Sequence, residues 1–404
     1  MSSPFITGNH WLEPIMPSPG FPPSLLQMAE RLPFHAGKLC GVLPAETAKR
    51  VGGLMRITSS YYSNLIEGQY TEPASLSANA PRRNSKVLTE LAVSHIGAQQ
   101  ALERLLRTPR ASTVEWADMF APSLVARVHR RLFAGAGKAE LALTDGRELV
   151  PGQLRDISET NVMVGDHFAP AWQSISPMMT RLQTVYGRIG DQRTRLLGAL
   201  AYHHRLAFVH PFEDGNGRVV RMLTHLQLAK LGLVSPLWSL SRGLARQQDE
   251  YYRRLRSADQ PRRGDLDGRG QLTQSGLLEF IEFIEFMLQV CLDQMKYIEH
   301  AMGLATLRQR LERAITFEPR FEQAGVRQEM ARALHILLTQ GEVSRSDFKI
   351  YTGLHDRIAS GQLNKLVTMG LIDAPSVKSR QLYPGLPVWF AQLLFPELHR
   401  RFDQ

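Results

Sequence analysis

A chain of 404 residues is too long for one small core, and its 43% hydrophobic and 21% charged residues are the proportions of a soluble globular protein of two or three domains. No apolar run reaches the roughly 18 residues of a membrane-spanning helix, and two cysteines, Cys40 and Cys291, are too few to build a metal cluster. The formal charge of +10 and pI near 9.8 suit polyanions, nucleic acid and acidic partners alike.

The first ten residues contain no basic stretch ahead of an apolar one, so no secretory leader is expected. Together with the sparse cysteines, read as buried free thiols in a reducing compartment, this predicts a cytoplasmic protein without a membrane partner. Residues 1–30 carry five prolines between Pro14 and Pro23 and predict an extended arm, with helical spacing setting in from Pro23. Residues 31–111 predict a helical layer, with helices over Ala45 to Ile66 and Lys86 to Leu106. Within it, Ser63-Asn-Leu-Ile-Glu67-Gly68 reads as a helix end that Gly68 closes, which leaves Glu67 as a surface carboxylate.

Residues 112–298 form the next predicted unit. Ser112 to Glu115 offers a capping box, and Leu124 to Phe133 a helix with one apolar face. Glycines and prolines then flank Val162, Met163, Val164 and Gly165, which suit a short strand or hairpin. Thr194 to Phe208 predicts the helix leading into His210-Pro-Phe-Glu-Asp214-Gly215-Asn216-Gly217-Arg218-Val-Val-Arg221, and a helix ended by Gly232 follows. His203 and His204 occupy consecutive helical positions and face different directions, which speaks against a metal site shared with His210.

The twelve-residue stretch holds equipment for a nucleotide phosphate. Gly215 and Gly217 let backbone N–H groups converge on an anion, and the following helix points its positive end at the same spot. Asp214 offers a hard oxygen to Mg²⁺, Arg218 and Arg221 share a helix face and can fork onto phosphate oxygens, and His210 can be a neutral base near pH 7.

This segment resembles the signature of the Fic family, His-Pro-Phe-x-Asp/Glu-Gly-Asn-Gly-Arg-x-x-Arg, at every defined position. The resemblance spans about residues 112–295 and implies a mainly α fold, a Fic-type helical bundle with a β-hairpin flap. It implies protein adenylyltransfer: AMP passes from ATP to a hydroxyl of a target protein or of the chain itself. His210 would then be the base, Asp214 the Mg²⁺ ligand, and Gly215, Asn216, Gly217, Arg218 and Arg221 the phosphate-binding set. Val162 to Gly165 is similar to the flap, and Tyr251-Tyr252 to a segment whose rings flank the nucleotide, although Asp259 stands where many relatives carry asparagine. Ser63, Glu67 and Gly68 resemble the family's inhibitory motif, which implies that Glu67 pairs with Arg221 and blocks productive ATP binding. Two alternatives stand beside it: an enzyme that removes AMP, and a nucleotide-sensing transcription regulator.

Leu277 to Met295 predicts a strongly apolar helix that closes the core, after a loop over 260–271. Residues 299–404 predict a connector helix (Glu299 to Thr316), helices over Gln328 to Leu338, Ser344 to Tyr351 and His355 to Met369, then two strands. That order resembles a winged helix-turn-helix domain, with Arg357, Gln362, Asn364 and Lys365 as candidate DNA contacts and Lys378 and Arg380 on the wing. DNA and a second copy of the chain both stay open as partners, because such domains also join proteins and Asp356 and Asp373 dilute the basic face.

Overall fold

The computed structural model describes residues 7–76, 86–107, 114–165, 167–233, 237–264, 270–376 and 379–399. The predicted capping-box residues Ser112 and Thr113 and the wing residue Lys378 lie outside them.

After a single turn at Asn9–Leu12 come α1 (Pro23–Ala29), α2 (Arg31–Val42), α3 (Ala45–Ile66) and α4 (Lys86–Arg107). Helix α3 buries Val51, Leu54, Met55, Tyr62 and Ile66 at the three- and four-residue spacing of one helical face. It stops where Gly68 takes φ 74°, and the Gln69 amide closes back onto the Asn64 carbonyl at 2.9 Å. Cys291 is buried in the core, but Cys40 is exposed, contrary to the expectation for it: it lies on the outer face of α2.

The central bundle is α5 (Pro122–Leu132), the short α6 (Lys138–Leu141), the hairpin β1 (Met163–Val164) and β2 (His167–Phe168), α7 (Trp172–Gly187), α8 (Gln192–Val209), α9 (Asn216–Lys230), α10 (Leu240–Arg246), α11 (Gln248–Ser257) and α12 (Gln274–Ala301). Helices α8 and α9 lie at its centre and are buried on nearly every side, so neither has the polar face of a surface helix. Asp191 caps α8 by accepting from the Thr194 amide at 2.9 Å. Around this pair pack α3, α4, α5, α7, α10 and α12, the last burying Phe280, Phe283, Ile284 and Met287. The loop after α11 is drawn into a bridge between Arg262 and Leu272.

The predicted connector from Glu299 is two elements. Helix α12 runs on to Ala301, the chain turns at Gly303, and α13 (Leu304–Phe317) begins afresh. Then follow α14 (Pro319–Gln323), α15 (Met330–Gln340), β3 (Val343–Ser344), α16 (Arg345–Thr352), α17 (Asp356–Thr368), β4 (Ile372–Asp373), β5 (Gln381–Pro384) and α18 (Val388–Leu394). The three strands form an antiparallel sheet in the order β3, β5, β4. Strand β3 has two residues, too few for any alternating pattern, and was not foreseen.

This C-terminal third packs directly on α3. The Thr47 hydroxyl donates to the Leu338 carbonyl at 2.8 Å, Arg50 pairs with Asp373, and the Thr58 hydroxyl meets His399 Nε2 at 2.8 Å. Two of the proposed DNA contacts are engaged inside the protein. Gln362 is 6% exposed and its amide joins the Arg327 amide and the Gly325 carbonyl, while Lys365 Nζ donates to the same carbonyl at 2.7 Å. A glutamine whose donor and acceptor are both used cannot read a base edge without breaking that turn.

Candidate active site

At the end of α8, His210 takes φ 48° and ψ 62°, the left-handed region that side chains seldom adopt. Such a conformation costs on the order of 1–3 kcal/mol and persists where the surroundings hold it. Arg155 supplies the hold, donating from Nε to the His210 carbonyl at 2.8 Å and from Nη2 to the Val209 carbonyl at 3.2 Å. Burial lowers the His210 imidazole to about 3, and the neighbouring His167 and Arg155 charges push the same way. The ring is therefore neutral at pH 7, with its residue still partly open to solvent.

The loop from His210 to α9 is braced from both sides. The Asn216 side chain accepts from the Phe212 amide at 2.9 Å and donates to the Phe212 carbonyl at 2.8 Å. Phe212 stacks on His129 with ring centres 3.9 Å apart. His129 Nδ1 accepts from the Gly152 amide at 2.7 Å, so its proton lies on Nε2, 3.1 Å from the Asp214 carbonyl. Burial lowers His129 to about 4 and keeps that tautomer neutral.

Gly215, at φ 79°, caps α9, whose first turn leaves N–H groups without intrahelical partners at the positive end of the helix dipole. A carboxylate already lies there. A Cβ on Gly217 would collide with Glu67 Oε1, and that same oxygen receives Arg221 Nη2 at 2.6 Å. Arg221 also donates from Nε to the Ser63 hydroxyl at 3.1 Å and from Nη2 to the Ser63 carbonyl at 2.8 Å. Burial pulls the Arg221 pKa down, but the Glu67 charge and hydrogen bond outweigh it, so the net shift is upward. The Ile66 carbonyl, at the end of α3, accepts from the Tyr252 hydroxyl at 2.9 Å and from Gln248 Nε2 at 3.3 Å.

Asp214 presents a half-exposed carboxylate on the rim. Its Oδ1 accepts from the Gly215 amide at 2.6 Å, and its Oδ2 lies 3.3 Å from Arg218 Nη2. Arg218 itself is buried over the Phe133 ring, 4.6 Å from its centre. A half-exposed carboxylate of hard oxygens fits a Mg²⁺ ion shared with substrate phosphates. No group of three or more metal-ligating side chains occurs among the described residues, so a closed protein cage is not built there.

Over the His210 turn hangs the β1–β2 hairpin, with Met163 paired to Phe168 and Val164 to His167. Met163 and Val164 are 59% and 48% exposed, and among the described residues β1 pairs with no strand but β2. His167 Nε2 lies 2.9 Å from the Phe208 carbonyl and anchors the hairpin to α8.

Residues 119–228, from the end of the segment before α5 to the end of α9, match the model of the Fic/DOC family. Over those residues the chain is similar to the Fic/DOC family. It is 25% identical over 193 residues to the protein adenylyltransferase Fic of Nematostella vectensis, covering 48% of this chain and 41% of that one. It is 31% identical over 114 residues to the protein adenylyltransferase fic-1 of Caenorhabditis elegans, covering 27% and 19%. The matches thus span less than half the length of these curated relatives. A crystal structure of a Fic family protein from Desulfovibrio desulfuricans G20 shares the fold over 92% of this chain and 98% of its own, with a TM-score of 0.50 at 17% identity.

Within this core the structure revises several residue-level expectations. Asn216 spends its side chain on Phe212, so only its backbone is left to face phosphate. Tyr251 is 2% exposed and its hydroxyl meets His203 Nε2 at 2.8 Å, which places it in the core rather than beside a nucleotide. Tyr252 is the exposed member of the pair. Asp259 serves Arg205, which is fully buried, and Arg262, at 3.2 and 2.7 Å, so asparagine there would remove a charge that both guanidiniums face. His203 and His204 are spent on Thr224, Tyr251 and the Leu255 carbonyl, in keeping with their divergent directions. Sequence reasoning missed Arg155 and His129. The Gly152-Gln-Leu-Arg155 run was visible ahead of the flap, but a lone arginine or histidine gives no spacing that marks it as a brace.

Proposed function

We propose that the chain is a Mg²⁺-dependent protein adenylyltransferase that holds itself in check through Glu67. One observation carries the reading: a carboxylate from α3 lies at the N-terminal end of α9, against Gly217 and on Arg221, where the anion of a nucleotide would bind. The Fic/DOC match and the adenylyltransferase relatives support the reaction class.

In that reaction a target hydroxyl oxygen bonds to the α-phosphorus of ATP, the bond from that phosphorus to its bridging oxygen breaks, and diphosphate leaves. His210, neutral and held by the strained turn, accepts the hydroxyl proton. The negative charge of a bound triphosphate would raise its basicity from the low value imposed by burial. The N–H groups of the Gly215–Arg218 turn and the guanidinium of Arg221 take up phosphate charge, so catalysis is positioning and electrostatics. Asp214 would hold Mg²⁺, which supplies charge neutralisation to the phosphates. The exposed edge of β1 would receive a target segment by strand addition.

With Glu67 in place, the outermost phosphate has no partner at Arg221 and ATP binds in a pose unfit for attack. A partly buried ion pair contributes little net stability, so a modest differential in binding opens it. Incubating Glu67→Gly with labelled ATP and Mg²⁺ should put label on protein at least tenfold faster than the unmutated chain. His210→Ala in the same background should abolish it. Absence of covalent nucleotide at saturating ATP in the Glu67→Gly protein overturns the reading.

A further inference from the structure

Arg155 braces the site across three segments. It is 2% exposed, and its fork reaches four carbonyls: His210 at 2.8 Å, Val209 at 3.2 Å, Pro170 at 2.8 Å and Thr160 at 3.4 Å. Its own amide donates to the Pro211 carbonyl at 2.9 Å. Val209 and His210 end α8, where unpaired carbonyls and the negative end of the dipole favour a cation. Thr160 and Pro170 lie at the feet of the β1–β2 hairpin, one on each leg. Burial lowers the Arg155 pKa to about 10 and the Glu213 charge opposes that shift, while the planar fork has donors enough to reach all four carbonyls.

We propose that Arg155 is a positioning residue that sets the flap in register with the His210 imidazole, so that a peptide added to β1 presents its hydroxyl to the base. The inference rests on the transfer reading above and adds a residue to it. Loss of the guanidinium would free both legs of the hairpin and the strained turn together, while Arg221, Gly217 and Asp214, which face the nucleotide, keep their partners. Lysine, with one ammonium in place of a fork, would restore the charge but not the four-way span.

The test uses the full chain in the Glu67→Gly background, with Arg155→Lys and Arg155→Met compared against their parent. Calorimetric affinity for ATP and Mg²⁺ should stay within about threefold. The kcat for label transfer should fall at least thirtyfold for Arg155→Met and about tenfold for Arg155→Lys, and the amides of residues 163–168 should exchange faster in both. Because the charges facing His210 are those of His167 on the flap and Arg155, the acidic limb of the transfer rate should move to higher pH in Arg155→Met, which removes the charge, and stay in place in Arg155→Lys. Unchanged kcat and unchanged exchange at 163–168 overturn the positioning role. So does a fall in ATP affinity and melting temperature that matches the loss of kcat in Arg155→Lys, which is the mark of general damage. If the Glu67→Gly parent transfers nothing, the transfer reading falls, and the exchange measurement alone still decides whether Arg155 holds the flap.

Discussion

The smallest scale at which this site can be altered is the set of three hydrogen bonds that Arg221 donates, one to the carboxylate of Glu67 and two to Ser63. Ser63 contributes both a hydroxyl and a carbonyl to that guanidinium, and its side chain is fully buried, so it aims Arg221 at Glu67 rather than merely filling space. Ser63→Ala removes the hydroxyl and keeps the carbonyl. A neutral acceptor to a charged donor contributes about 1.5–3 kcal/mol, but the remaining carbonyl offsets part of it. We expect label transfer to rise about three- to tenfold, less than in Glu67→Gly, in a side-by-side assay of the two variants; a Ser63→Ala protein as silent as the unmutated chain would mean that the carbonyl alone aims the arginine. Gly217→Ala should act at the same place by a different route. Its Cβ would occupy the space of Glu67 Oε1 and so expel the carboxylate, and it would narrow the approach of a phosphate as well. ATP affinity should therefore fall in Gly217→Ala and rise in Glu67→Gly, which separate titrations would show.

Among the elements, α3 carries the inhibitory carboxylate, and its C-terminus is clamped from α11. Tyr252 and Gln248 both donate to the Ile66 carbonyl, one residue before Glu67. Tyr252→Phe with Gln248→Ala should loosen the last turn of α3, speeding amide exchange at residues 65–69 and raising transfer by a few-fold with no change in the Arg221 side chain. Helix α3 also shows how far the sequence could be followed. Its apolar spacing predicted Ala45 to Ile66, its terminal Gly68 predicted the left-handed stop, and the motif at 210–221 predicted a turn between two helices, because periodicity and glycine are local signals. What could not be read was who partners whom. Asn216 and Tyr251 look like ligand contacts in a string of letters, and only the packing shows Asn216 closing on Phe212 and Tyr251 turned toward His203. The connector beyond Glu299 failed for a related reason: Gly303 ends one helix and starts another, and a single glycine does not say whether it will bend or break the chain.

Across the whole molecule, burial has made histidine an acid-sensitive component of the fold. His95, His210 and His399 are pushed to about 3, and His129 and His204 to about 4, in each case first by burial. Unfolding returns them toward the ordinary value near 6.5, so below that pH the unfolded chain takes up protons that the native chain refuses. Stability that is complete above about pH 6.5 is therefore lost as pH falls, and each such histidine costs up to about 1.4 kcal/mol per pH unit. Glu103 and Asp259, held below the usual carboxylate range against their own burial by His225 and Arg56 and by His204, Arg262 and Arg205, add a second loss at lower pH, when the unfolded carboxylates protonate first. The five histidines are spread over α4, α5, the centre of the bundle and the C-terminal end, where His399 meets Thr58 of α3. The acid transition should then begin near pH 6 rather than near 4, and it should involve the docking of the C-terminal third together with the core. Melting temperature should drop by at least about 5 °C between pH 7.5 and 5.5. His399→Gln, which keeps a polar side chain beside Thr58 and cannot take a proton, should shrink that drop without lowering the melting temperature at pH 7.5 by more than a few degrees; a pH profile identical to the unmutated chain would show that this histidine is already solvated enough to titrate in place.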